Sequence, residues 1–439
     1  MRFSKARLLV LLLLLAPLLA PARYKPWYNL YNFSYGAKAR AMGNAFTAVA
    51  DDLTAAFWNP AGLALLTEPQ FYMGYRATQQ DYGYDLQVRE TESDIRLYDF
   101  DFNSAVNQID FFSLSAPARV FRLPWTFALG YYRYVPYGFR GSAVETVVSK
   151  RNPDQPQLTT VTFKGSEGID ILSFSAAAAL NDHFFVGATL QQFFNSGSLL
   201  RVTTGPFDDF HSQFTERIRD RNFICGVLFQ PVDALRLGFT WHSGLKGAFI
   251  STRLSWRIDE EGGRYDLKEE DNEAGIEIPE QYSLGALLRP ARWLDLSAEY
   301  TLLNWDKAYL EGYFQHETVL PFPQKADWPL GQKRSRDLRF GAEARLPVRS
   351  WQFRLRAGWA LESQLYADCL DEEVKIRSYA AGIGIVPNRN LLAEFTFQRQ
   401  VGDWPEKGFY AAAPDVASHF RGNVFFFALT YRFGHVFRK

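Results

Sequence analysis

The chain has 439 residues, 48 basic and 48 acidic side chains, 16% aromatic residues and two cysteines. Zero net charge excludes the field that would gather nucleic acid or another strongly charged partner, and two cysteines are too few for a disulfide framework. Past the first 22 residues no apolar run is long enough for a membrane-spanning helix, which excludes a helical membrane protein.

In chain order, Arg2, Lys5 and Arg7 precede the apolar run Leu8 to Leu15 and the small residues Ala20-Pro21-Ala22. This pattern predicts a secretory signal over residues 1–22, cleaved after Ala22, with no cysteine close behind for a lipid anchor. Residues 23–69 follow and do not alternate. They open on the aromatic stretch "RYKPWYNLYNFSYG", with Tyr24, Trp27, Tyr28, Leu30, Tyr31, Phe33 and Tyr35, and continue through small residues to Asp51, Asp52 and the turn-like Asn59-Pro60-Ala61-Gly62.

The barrel is expected over residues 70–439, and from about residue 110 onward one plan repeats: a strand of roughly ten residues, a tight turn, a second strand, then a longer polar stretch. Strands are predicted over 70–79, 108–118, 124–136, 169–180, 184–195, 222–231, 234–245, 281–290, 293–304, 337–346, 351–361, 377–387, 390–401 and 423–433. Turn residues separate them at Asn181-Asp182-His183, Pro231-Val232-Asp233, Arg289-Pro290-Ala291, Pro347-Val348-Arg349 and Pro387-Asn388-Arg389-Asn390. Each strand has one apolar and one small or charged face: in "WLDLSAEYTLL", Leu294, Leu296, Ala298, Tyr300 and Leu302 oppose Asp295, Ser297, Glu299 and Thr301. Fourteen such strands, with short and long connections alternating, predict an all-β, antiparallel transmembrane barrel. Closure follows because an unpaired backbone group in hydrocarbon costs several kcal/mol. A barrel of that width would hold an open water channel unless residues 23–69 fill it, and Asp51 and Asp52 are then expected to pair with lumen arginines such as Arg236, Arg339, Arg354 or Arg356.

The stretch "YGAKARAMGNAFTAVADDLTAAFWNPAGLA" resembles the amino-terminal hatch of FadL/TodX-type outer-membrane transporters of long-chain fatty acids and aromatic hydrocarbons, with its glycines, Ala-Asp-Asp step and Asn-Pro-Ala step. The resemblance implies a Gram-negative outer-membrane location and passive uptake of a hydrophobic molecule, with outer-membrane lipid as surroundings. It implies a plug over residues 23–69 in which Gly43, Asp51, Asp52, Asn59, Pro60, Ala61 and Gly62 carry the hatch motif, Asn59 to Ala61 lying near its junction with the wall. The family's apolar site lies near the mature amino terminus, where Tyr24, Trp27, Tyr28, Tyr31 and Phe33 are expected either to line it, with Arg23 or Lys25 meeting a carboxylate, or only to anchor the plug. The longer Asn-Pro-Ala-Gly-Leu-Ala version also resembles the PorV relatives, which share the barrel but bind exported proteins in secretion.

Two further places bear on a ligand. Between 196 and 221, Phe207, Phe210, Phe214 and Ile218 fall at helical spacing. This stripe is expected either to catch a greasy ligand or to pack on the stretch 246–280 with Leu254, Trp256 and Ile258. In the third strand, Gly130, Pro136 and Gly138 mark the place where the family resemblance implies a sideways exit. Pro136 cannot donate to a ladder, so it either opens a gap or ends the strand at the outer rim. His183, His211, His242, His316, His419 and His435 form no recognisable Ser/His pattern, and metal-ligand spacings and phosphate loops are absent from the sequence. The expectation is therefore a protein that is not an enzyme and uses no cofactor or metal.

Overall fold

The computed structural model describes residues 23–24, 34–90, 94–138, 140–150, 152–204, 209–258, 263–304, 309–311, 334–367, 373–406 and 416–434. The signal sequence lies outside them. The strands in chain order begin with β1 (Arg23–Tyr24), β2 (Gln70–Glu90), β3 (Asp94–Val120), β4 (Leu123–Pro136), β5 (Arg140–Ser149), β6 (Asn152–Ala179) and β7 (Phe184–Phe194). They continue with β8 (Gly197–Thr204), β9 (Asp209–Arg219), β10 (Arg221–Val232), β11 (Leu235–His242), β12 (Leu245–Ile258), β13 (Arg264–Ile278) and β14 (Gln281–Ala291). The last are β15 (Leu294–Leu303), β16 (Tyr309–Glu311), β17 (Ser335–Val348), β18 (Trp351–Ala367), β19 (Glu373–Asn388), β20 (Leu391–Glu406) and β21 (Val416–Arg432).

Fourteen of these close a ring of antiparallel neighbours: β2, β3, β4, β6, β7, β10, β11, β14, β15 and β17 to β21. The ring is sealed by β2 against β21, in register from Gln70↔Arg432 to Tyr84↔Ser418. Every predicted strand falls on one of the fourteen. Most observed strands are longer, because the stretches expected as polar loops continue as sheet on the long-loop side: β5 extends β4, the hairpin β8–β9 rises from β7 and β10, and β12–β13 rises from β11 and β14. The breaks within these tall strands fall where the chain must kink, at Asn195 (φ 61°), at Gly244 (φ 71°) and at Pro279-Glu280.

The two faces of the wall are inverted relative to a water-soluble sheet. On β15, Asp295, Ser297, Glu299 and Thr301 are buried while Leu296 and Tyr300 stand exposed; on β11, Arg236 and Thr240 are buried while Leu237 and Phe239 are exposed. Apolar outside and polar inside is stable only against hydrocarbon. The polar face is covered from within by residues 34–66, which contain the short helices Ala37–Ala41 and Ala55–Trp58 and a 3-10 turn over Pro60–Leu65.

That covering is possible because the wall offers glycines where the inner backbone comes closest. Gly226↔Gly187, Gly238↔Gly285 and Gly341↔Gly358 are direct cross-strand pairs. A methyl group on Gly358 would lie 1.9 Å from the Gly43 nitrogen, and one on Gly226 would lie 2.0 Å from Asn59 Oδ1.

Candidate functional site

Hydrogen bonds tie the inner segment to the wall nearly all the way round. Glu299 Oε2 accepts the N–H groups of Phe46 (2.9 Å) and Thr47 (2.7 Å). Asn44 Nδ2 donates to Glu362 (3.0 Å) and Arg40 Nη1 to Gln398 (2.6 Å). Wall hydroxyls of Thr189, Thr240, Thr396 and Thr126 donate to the carbonyls of Ala56, Trp58, Ala37 and Leu66. Asn59 donates to the Val227 carbonyl (3.1 Å) and its Oδ1 caps the following 3-10 turn at the Ala61 N–H. Pro60 and Ala61 lie on Gly187, and Gly62 lies against Ala50, where a methyl would meet the Ala50 oxygen at 1.9 Å.

Asp51 and Asp52 do not pair with the lumen arginines. Asp51 accepts two 2.8 Å hydrogen bonds from Lys38 within the same segment, and Lys38 also lies 3.5 Å from Glu343. Burial is the largest influence on Asp51 and raises its pKa, but the Lys38 charge and hydrogen bonds together with the charge of Arg354 hold the group below its ordinary value. Asp52 accepts from the Thr54 N–H (2.8 Å) and hydroxyl (2.5 Å). Its burial, then the charges of Glu394 and Asp51, push its pKa up to about 7. The arginines are satisfied first by carboxylates directly across the sheet: Arg339 faces Glu299 and also binds Asp337, while Arg356 faces Glu343 and also binds Glu394. Arg236 donates to Gln230 and to the Val49 carbonyl, and Arg354 to Gln352.

On one side the inner segment ends in an aromatic box. Tyr35 lies 4.7 Å from both Phe57 and Tyr132 and 5.8 Å from Phe111, and Phe111 stacks on Tyr132 at 5.3 Å. All four are buried. Trp58 Nε1 donates to the Tyr35 carbonyl (2.9 Å), and the Tyr35 hydroxyl donates to the Arg133 carbonyl on β4 (3.0 Å). Above the box the inward face continues apolar, with Val135, Tyr137, Phe163, Leu199, Phe214, Ile218 and Phe249 buried in one cluster.

Arg133 is where the wall becomes irregular. The β4–β6 register shifts between Arg133 and Val135, and β4 ends at Pro136 opposite Gly168. Along β6 the ladder resumes at Lys164↔Arg140, so only residues 165–167 are passed over. Along β3 the last pair to β4 is Phe111↔Tyr132 and the first to β5 is Asp101↔Ser142, so residues 102–110 lose their neighbour. Part of that free edge is taken by β1, with Tyr24↔Asn103 and Arg23↔Ser104. The chain at 136–138 leans away from β3: the Tyr137 N–H donates to Glu167 O (3.1 Å), its hydroxyl to Glu216 on β9 (2.6 Å), and its ring lies on Gly197.

Pro136 and Gly138 thus stand at the interruption, Gly138 facing Val106 across it. Gly130 does not; it is paired on both sides, with Ser113 and Ser173. Tyr24 is placed by its backbone at the β3 edge, and Trp27, Tyr28, Tyr31, Phe33 and Phe207 lie outside the described residues. The helical reading of 196–221 is corrected: Phe210, Phe214 and Ile218 lie on strand β9, where a spacing of four also returns to one face. Phe214 is buried under the Arg253 guanidinium (5.6 Å), whereas Leu254, Trp256 and Ile258 belong to the opposite face, Trp256 stacking on His211. Sequence reading passed over Phe57, Phe111, Tyr132 and Tyr137. The signal available was aromatic residues at lumen parity, Phe111 directly before the lipid-facing Phe112.

Comparison with known proteins places this geometry among relatives. The family described as outer membrane protein transport protein (OMPP1/FadL/TodX) matches residues 28–309. A FadL homologue of Pseudomonas aeruginosa is similar at 15% identity and a TM-score of 0.58, covering 94% of this chain and 100% of its own. The toluene transporter TbuX of Ralstonia pickettii gives 16% and 0.57, covering 92% and 99%. The toluene transporter TodX of P. putida gives 12% and 0.54, covering 91% and 99%. At these identities the likeness to solved structures is one of fold. No curated protein matches the sequence.

Proposed function

This chain belongs to the OMPP1/FadL/TodX family of outer-membrane transport proteins, passive channels for hydrophobic compounds rather than enzymes, and from that premise we propose that it takes up long-chain fatty acids and similar molecules by the following route. Residues 23–69 act as a hatch that closes the bore to water. An apolar molecule enters from the long-loop side along the cluster of Phe214, Leu199 and Phe163, and is held at the aromatic box of Tyr35, Phe57, Phe111 and Tyr132. It leaves sideways between β3 and the Pro136–Gly138 segment, once β1 releases the edge it covers.

The observation that carries this reading is the Tyr35 hydroxyl bonded to the Arg133 carbonyl, which joins the hatch and the box to the irregular stretch of wall. A ligand in the box displaces Tyr35 and so removes a restraint on that stretch. Burial of a long alkyl chain supplies the affinity, at about 0.8 kcal/mol per CH₂ withdrawn from water, and movement down the gradient requires no other energy source.

The test is to bridge the exit. The place of a methyl on Gly138 is 3.9 Å from Val106 Cγ1, so Val106→Cys with Gly138→Cys, in a background of Cys225→Ala and Cys369→Ala, puts two thiols within disulfide reach. Uptake of labelled long-chain fatty acid and of toluene by cells carrying the bridged protein is expected to fall to the level of cells lacking it, and to return on reduction. Unchanged uptake in the bridged protein refutes the sideways route, and uptake equal with and without the wild-type protein for both ligands refutes the transport reading.

A further inference from the structure

The chain is neutral overall, yet its short-turn rim is not. The end of β3 carries exposed Arg119 and the β3–β4 turn exposed Arg122, the β14–β15 turn Arg292, the β17–β18 turn Arg349 and the β19–β20 turn Arg389. The two remaining tight turns, β6–β7 and β10–β11, carry Asp182 and Asp233. Ring order makes the basic turns neighbours: from β14–β15 through β17–β18 and β19–β20, across the β21–β2 seam, to β3–β4. The five arginines therefore form one arc along more than half of the rim, and the two aspartates share the rest. Arg289 and Arg345, just inside the arc, are matched by Asp295 and Glu343. Among the described residues none of the five outer arginines has a carboxylate within salt-bridge distance.

The same turns expose apolar side chains: Phe121 is 94% exposed, Trp293 54% and Val348 49%. Short turns face the inner side of an outer-membrane barrel, so these side chains stand at the boundary between acyl chains and headgroups, where aromatic residues of membrane proteins collect. The guanidiniums stand immediately beyond, at the depth of phosphate groups. A guanidinium binds phosphate through paired N–H donors.

We propose that this arc is a docking surface for anionic phospholipid of the inner leaflet, phosphatidylglycerol by headgroup chemistry. Charge complementarity selects that occupant over zwitterionic lipid. Its form selects lipid over protein: the arginines are strung along the perimeter at two-residue turns, three of the four turns also presenting an exposed apolar side chain (Phe121, Trp293 or Val348), rather than gathered on one projecting face. A basic residue close to an anionic membrane surface contributes about 1 kcal/mol, which is roughly a fivefold preference per contact.

The experiment uses the full mature chain folded into phosphatidylcholine vesicles containing spin-labelled phosphatidylglycerol or spin-labelled phosphatidylcholine, and reads the relative association of each with the protein surface. The expected result at about 0.1 M salt is severalfold selectivity for phosphatidylglycerol in wild type, falling towards one in the variant R119Q/R122Q/R292Q/R349Q/R389Q. The corresponding five-lysine variant keeps it. Salt near 1 M, where the screening length is about 3 Å, removes it from wild type, a measurement that needs no variant to fold. Selectivity of one in wild type, or equal selectivity in wild type and the glutamine variant, overturns the proposal. Loss of binding to an acidic periplasmic protein in the glutamine variant, with lipid selectivity unchanged, would assign the arc to a protein instead.

Discussion

Replacing Glu299 with alanine should loosen the inner segment while leaving the barrel standing. Glu299 is buried on β15 and its Oε2 is the acceptor for two consecutive backbone donors, Phe46 N–H at 2.9 Å and Thr47 N–H at 2.7 Å. Without it the Thr47 donor is left buried and unsatisfied, at about 1–3 kcal/mol, while the Phe46 N–H keeps the Asn44 carbonyl at 2.9 Å. Its Oε1 accepts from Arg339 at 2.9 Å, but Arg339 retains Asp337 at 2.7 Å and Glu362 at 3.3 Å, so the guanidinium stays compensated. The loss is thus about 1–3 kcal/mol, and it falls on the segment around residues 45–48. The β15 ladder to β14 and β17 is made by main chain and is untouched. At 1.4 kcal/mol per factor of ten, the population with this part of the segment released rises by about fivefold or more. Hydrogen exchange at the Phe46 and Thr47 amides should accelerate by that factor, and single-channel conductance should show openings rare in wild type. Glu299→Gln, which keeps a carbonyl acceptor, should recover part of the protection. Unchanged exchange at both amides in the alanine variant, or collapse of the whole barrel, would refute the assignment of Glu299 as an anchor for the inner segment.

Two further outcomes follow from the same packing. Gly358→Val places a side chain where a methyl carbon already lies 1.9 Å from the Gly43 nitrogen; β18 can accept valine, so the inner segment must yield, and passage of small hydrophilic solutes into proteoliposomes should rise while thermal unfolding of the barrel shifts little. Asp52 has a pKa raised to about 7 by burial and then by Glu394 and Asp51, above its unfolded value of about 3.9. Its contribution is therefore complete below about pH 4 and is lost as pH rises through about 7. Amide protection of residues 50–56 should fall between about pH 4 and 7 in wild type and stay level in Asp52→Asn; parallel curves for the two proteins would remove Asp52 as the cause.

How far the residues alone disclose such a molecule varies from place to place. Strand β15 was readable because a period of two with apolar residues on one face and Asp295, Ser297, Glu299 and Thr301 on the other has one meaning in hydrocarbon. The stretch at Phe210, Phe214 and Ile218 misled because a spacing of four is common to a helix and to one face of a strand. The arginine partners of Asp51 and Asp52 misled for another reason: charge alone does not rank candidates. Arg339 and Arg356 each had a carboxylate directly across the sheet, and Lys38 lay one short helix away from Asp51.

The chain by itself determined the strand number, the side of each strand that meets lipid and the alternation of short and long connections, since these depend on local periodicity and on hydrocarbon's intolerance of unpaired backbone. Only the tertiary structure decided which wall side chains receive the inner segment, where β3 loses its neighbour, and how Tyr35, Phe57, Phe111 and Tyr132 come to share one box. Those outcomes depend on register between strands and on which of several competing partners is nearest, and neither quantity exists until the ring has closed.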